Sequence, residues 1–258
     1  MRFIRILLAI LAALLLLAVV VLWTLPASLA WRYAAPRLPA LQLEGVSGTI
    51  WGGHAAAASV VGQPLGQLDW QLGVAPLFHG EIKTQVRLQG PLWQATGLVS
   101  RPWDGAIDLN HVHVEAPAAP LQQALGLGSV EPSGKIIADI DHARIRHAWF
   151  EALVAKAQWR DAGVSGSVQA KFGTIDARFT LDAARRVHGD IIDQGDGALK
   201  VKGGFLAQPT GYSLVLHLTA RHADDWQTQE ALQQLGQRQS DGSVLLQVEG
   251  HLMGVPGQ

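Results

Sequence analysis

A mainly β protein is expected from this chain: an N-terminal transmembrane helix, then an antiparallel, curved β-sheet domain with one or two short helices. Three observations lead there. Beyond residue 40, glycines recur at intervals of roughly 8 to 14 residues, as turns between short strands do. The runs between them alternate apolar and polar with a period of two. Every residue from Ile6 to Trp23 is apolar, and at about 1.5 Å per residue such a helix reaches roughly the thickness of a bilayer's hydrocarbon core.

The anchor comes first in the chain. Arg2 and Arg5 precede it, and a short basic tail is retained in the cytoplasm while the remainder is exported, although Arg32 and Arg37 on the far side reduce the asymmetry. Trp23, Trp31 and Tyr33 would form an aromatic belt at the outer interface. Ser28-Leu29-Ala30 offers small residues of the kind a signal peptidase cleaves, but the apolar run exceeds the roughly 7 to 15 residues of a signal peptide, which favours a permanent anchor over residues 1–25. Pro26, Pro36 and Pro39 make 26–40 a poor helix and an extended linker. One β-rich domain is then expected over 41–258.

Within that domain, Gly45 to Gly53 and Leu65 to Leu72 read as two strands closed by glycine turns, each with an indole near its end. In Glu81 to Gln89, Ile82, Thr84, Val86 and Leu88 should form a buried face, with Glu81, Lys83, Gln85, Arg87 and Gln89 on a wet one. Further strands are expected at Gly134–Ile140, Val164–Phe172, Ile175–Leu181, Leu214–Leu218 and Gly242–Gly250. Trp149–Trp159 carries both helical and strand spacings, and its strand-like flanks decide for strand. Pro120–Leu125, ended by Gly126, suits a short helix. Asp224–Leu235 suits a longer one, with an aspartate as N-cap and Gly236 as the stop.

The chemistry is sparse. The 258 residues carry a net charge of −1 from 20 basic and 21 acidic side chains, which gives no bias toward polyanions, so nucleic acid is not an expected partner. The absence of cysteine removes disulfides, thiol catalysis and thiolate-bound metal. Alternation places His111 and His113 on one face, yet no third ligand stands near, and an exposed strand face explains them better than a metal. Asp139 and Asp141 should share a face with His142 opposite, again an exposed strand. Ser47 and Ser165 lack the glycine spacing of a nucleophile elbow, and no phosphate-binding glycine loop is present. No cofactor is expected. Trp51, Trp70, Trp93 and Trp103 in the first half suit a thin β core better than a ligand-binding stripe.

A short tail and single anchor, Gly48, Thr49, Trp51 and Gly53, then Leu68 and Trp70, then Gly80, together resemble the type II secretion system protein N family, also called general secretion pathway protein N. Leu235-Gly236, Asp241-Gly242 and Gly250 match that family's closing pattern. These motif residues are structural. The resemblance implies a bitopic inner-membrane protein of a Gram-negative bacterium, its domain in the periplasm. It would be a non-catalytic accessory to export of folded proteins across the outer membrane, in contact with the inner-membrane assembly platform and the outer-membrane secretin. The anchor and strands also resemble AsmA-like proteins, whose curved sheets imply handling of lipid along an apolar groove. An enzyme is the least supported reading, for want of a catalytic constellation.

Overall fold

In the computed structural model, which describes residues 23–60, 63–91, 93–124, 128–166, 169–222, 228–230, 232 and 236–250, the glycine-bounded runs are antiparallel strands joined largely in sequence order. The expected antiparallel, mainly β class with few short helices is what the residues form. Residues 6–22 of the expected anchor lie outside the described residues. Among those described, no helix is long and apolar enough to cross a membrane.

The chain divides into two units, 1–91 and 92–258. In the first, helix α1 (Ala27–Ala34) and a 3-10 turn (Ala35–Arg37) precede β1 (Leu41–Glu44), β2 (Ser47–Gly48), β3 (Gly52–Val60), β4 (Gln63–Leu72) and β5 (Glu81–Gln89). β1 and β2 both pair with β3, and β3, β4 and β5 pair in succession. The extended linker expected at 26–40 is therefore corrected: most of it is helical. Two of its three prolines stand where helices begin, Pro26 as the extended residue before α1 and Pro36 in the first turn of the 3-10 segment, positions at which a missing N–H costs nothing. Packing also starts before Leu41. Ile50 N donates to Leu25 O at 3.1 Å, and Pro26 bridges to Thr49.

β5 has the bounds expected of it, but its apolar face is not a buried one. Ile82 is 50% exposed, and Thr84, Val86 and Leu88 are half-buried. The ladder with β4 runs only from Gln89 to Thr84, so Ile82 projects beyond it. The buried apolar side chains described in this unit are the small Ala27, Ala55 and Ala58.

The second unit contains β6 (Gln94–Pro102), β7 (Ile107–Pro117), helix α2 (Leu121–Ala124), β8 (Val130–Arg146), β9 (Trp149–Gly166), β10 (Ala170–Leu181), β11 (Val187–Asp193), β12 (Leu199–Gln208), β13 (Gly211–Ala220), β14 (Gln237–Arg238) and β15 (Val244–Gly250). Each strand from β6 to β12 pairs with the next; β15 pairs with β13 and carries β14 on its far side. Trp149–Trp159 is strand, as expected. Val164–Phe172 is corrected from one strand to parts of two, because Gly166, at φ +104°, ends β9. Of Asp224–Leu235, residues 228–230 and 232 are helical and the rest lie outside the described residues.

Extra residues keep the two faces of this sheet in phase. The apolar positions of β7 run Ile107, Leu109, then Val112, Val114; those of β8 run Ile136, Ala138, Ile140, then Ala143, Ile145. At each change of parity one residue is extra: His111, at φ +49°, in β7 against β6, and Asp141 in β8 against β9. A bulge of this kind adds one residue without moving the rest of the strand to the wrong face. Two buried clusters result. Ala143, Leu153, Val187 and Ala207 form one. Phe172, Ile175, Leu199, Val201, Leu218, Leu232 and Val244 belong to the other. Between them the small apolar positions Ala138, Ala157 and Ala177 are half-buried, and Ile191 and Leu216 pack, partly buried, against the second cluster.

Candidate functional surface

The first group of motif residues converges on the β2–β3 turn. Thr49 N donates to Gly52 O at 2.9 Å, and Gly52 N returns a bond to Thr49 Oγ1 at 3.3 Å. Gly48, at φ +83°, lies against Gly52 and Gly53 so closely that a Cβ would overlap them. Trp70 Nε1 donates to Ile50 O at 3.3 Å, and its ring covers Gly53. Trp51 stacks on Trp23 with ring centroids 5.8 Å apart, which ties the end of the apolar N-terminal segment to the sheet. Leu68 pairs with Ala55 and Leu88 on the neighbouring strands. Gly80, at φ +77°, closes the 3-10 turn over Ala75–His79.

The second group shapes the approach to β15 and its end. Asp241 Oδ1 accepts from Ser243 N at 2.9 Å and Ser243 Oγ at 2.6 Å, and the Ser243 hydroxyl and amide hold its carboxyl below the usual range. Gly242 takes φ +84°, and Gly236 and Gly250 sit where a side chain would overlap Leu245 and Tyr212. Leu235 lies outside the described residues. Two of the indoles have roles other than the expected core: Trp51 in the stack just described, and Trp103, which is 88% exposed.

The bulges overturn two expectations about faces. His113 and Asp139 share a cross-strand pair, with His113 Nδ1 and Asp139 Oδ1 2.6 Å apart, and His142 bonds Asn110 at 3.0 Å. With His111 and Asp141 as the extra residues, Asp139 and His142 fall on one polar face, and His111 and His113 do not form a pair. Among the described residues no group of three or more His, Asp or Glu is placed to hold a metal ion. His113 is instead part of a charged ladder. Asp139 and then Glu115 raise its pKa, while Lys135, Gln94 and His113 hold Glu115 down to about 2. Arg144 bonds Asp104, Asp108 and Glu151, and Arg146 bonds Asp104 and Glu151. Such mutually paired charges are what a solvated sheet face needs. The only hint of these networks in the sequence was alternation of charged residues, which does not give the cross-strand register.

The paired charges of the polar face and the glycine turns make a framework of strands. The family model for type II secretion system (T2SS) protein N matches residues 39–247. The chain belongs to the type II secretion system protein N family. It is similar to the type II secretion system protein N of Aeromonas hydrophila, 25% identical over 241 residues that cover 88% of this chain and 91% of that one. It is also similar to the protein of the same name from Vibrio cholerae, 38% identical over 47 residues, 18% of this chain and 19% of that one. No solved structure matches. As a protein N family member it is a secretion-system component, and such a component has partner components in that system.

Proposed function

We propose that the protein is a non-catalytic accessory of the type II secretion system, anchored in the inner membrane by residues 1–25. Its β units then stand in the periplasm, where they contact the assembly platform and the outer-membrane secretin. The observation that carries this reading is the family match over 39–247. The stacked Trp23 and Trp51 support it, since they join the apolar segment to the sheet without a free linker. Deleting the gene should reduce release of folded exoproteins while their periplasmic levels stay normal or rise. Unchanged release would overturn the reading.

A second reading, an AsmA-like protein whose curved sheet handles lipid, is favoured by one observation: the small apolar positions Ala138, Ala157 and Ala177 in the middle of the second unit's apolar face are only half-buried. Unchanged secretion with altered outer-membrane permeability in the deletion strain would select it.

A further inference from the structure

On the polar face of β12 and β13, cationic side chains converge on one cavity of about 490 Å³. Lys200 and Lys202 alternate along β12, about 6.6 Å apart by strand geometry. Opposite them in the ladder stand Thr219 and His217, and Arg221 follows two residues beyond Thr219. All five line the cavity. The carboxylates that also line it are already engaged. Asp193 accepts from Arg221, from Val201 N at 2.8 Å and from Gly195 N at 2.9 Å, and Asp241 holds Ser243. Lys200 and Lys202 have no partner among the described residues. Arg221 is fixed by its Nε bond to Gly197 O at 3.0 Å and its Nη2 bond to Leu199 O at 3.3 Å, and its Nη1 has no hydrogen-bond partner among the described residues.

We infer that this cavity binds a phosphate-bearing ligand through Lys200, Lys202 and Arg221, with the Thr219 hydroxyl as a further donor. Lys200 and Lys202 supply the positive excess around the cavity, and Arg221, although paired with Asp193 through Nη2, offers Nη1 from a preset position that loses little freedom on engaging an oxyanion. An extended acidic peptide is a poorer fit. To hold one, the protein's cations would have to continue along the face, and in the neighbouring strand β11 the positions are Asp190, Ile192 and Asp193. Ile192, paired with Lys202 and 56% exposed, gives the rim an apolar contact suited to an organic phosphate.

The inference is independent of the secretion reading and is tested on the full chain in detergent micelles. Two probes are titrated by calorimetry at low salt: inorganic phosphate, and a short-chain phosphatidylglycerol carried in the micelles. Saturable binding of either supports the site, and the tighter of the two identifies free ion or lipid headgroup as the source. The pair Lys200→Gln with Lys202→Gln should weaken binding about tenfold or more. Thr219→Val should weaken it less, and Lys171→Gln on β10 should leave it unchanged. Circular dichroism of each variant separates lost binding from lost fold. Absence of saturable binding to both probes, an equal loss in Lys171→Gln, or tighter binding of a polyglutamate peptide than of either phosphate would overturn it.

Discussion

The indole of Trp70 on β4 occupies the space that a side chain at Gly53 on β3 would need, so that these two cross-strand partners fit only as glycine and aromatic. Gly53→Ala would push the ring off its seat and break the Nε1 bond to Ile50 O, held at 3.3 Å. Overpacking of this kind typically costs about 1–3 kcal/mol. Denaturant unfolding should show a loss of that size, and in a Trp70→Ala background the same substitution should cost much less. Equal losses in both backgrounds would remove the ring from the explanation.

Arg144 stands among three carboxylates, of which Asp108 and Glu151 have side chains only 12% and 20% exposed. Arg144→Met leaves Asp108 without a cation, and removing one partner of a largely buried pair is strongly unfavourable. Because Arg144 itself is 30% exposed, a loss of about 2 kcal/mol is expected, below the fully buried range. Asp108→Asn combined with Arg144→Met should lose less than the sum of the two alone, which thermal unfolding of all four proteins measures.

The ladder of Gln94, His113, Glu115, Lys135 and Asp139 makes stability depend on pH in two opposite senses. Glu115, depressed from 4.5 to about 2, contributes stability that is present above pH 4.5 and lost as pH falls toward 2. His113, raised above 6.5 chiefly by Asp139, contributes stability that is present below 6.5 and lost as pH rises through its folded-state value. The melting temperature of His113→Gln should therefore differ from that of the parent most at pH 5–6 and least at pH 9. A difference constant across that range would show that His113 does not titrate within this ladder.

Ser28-Leu29-Ala30 lies inside α1, whose Ala30 N donates to Pro26 O at 3.2 Å. A peptidase needs an extended substrate, so this helix should resist processing. A reporter active only outside the cytoplasm, fused after Gln258, is expected to be active and to sediment with membranes. A soluble product beginning near Trp31 would replace the anchor with a cleaved signal.

Strands with one unbroken alternation were legible in the residues: β5 has the bounds that Glu81–Gln89 suggested. What alternation could not give was face assignment across a bulge. His111 and His113 are separated by two positions and look paired, yet one of them is the extra residue of its strand. The sign was present in the change of apolar parity from Leu109 to Val112 and from Ile140 to Ala143. Half-burial was not legible either, since Val86 and Leu88 have the pattern of a core face whether or not anything covers it. The basic cavity at β12 and β13 depends on register: Lys200 and Lys202 meet Thr219 and His217 only through a hairpin whose pairing no local pattern fixes.

Because each strand from β7 to β13 bonds to the one made just before it, no strand of that series has to wait for a distant piece of chain. Loop-closure entropy is met in small increments, and a low separation between partners favours rapid zippering. A chain threaded across a membrane from its N-terminal end could thus acquire structure hairpin by hairpin as it emerges, with only the latest edge open to wrong pairing at any moment.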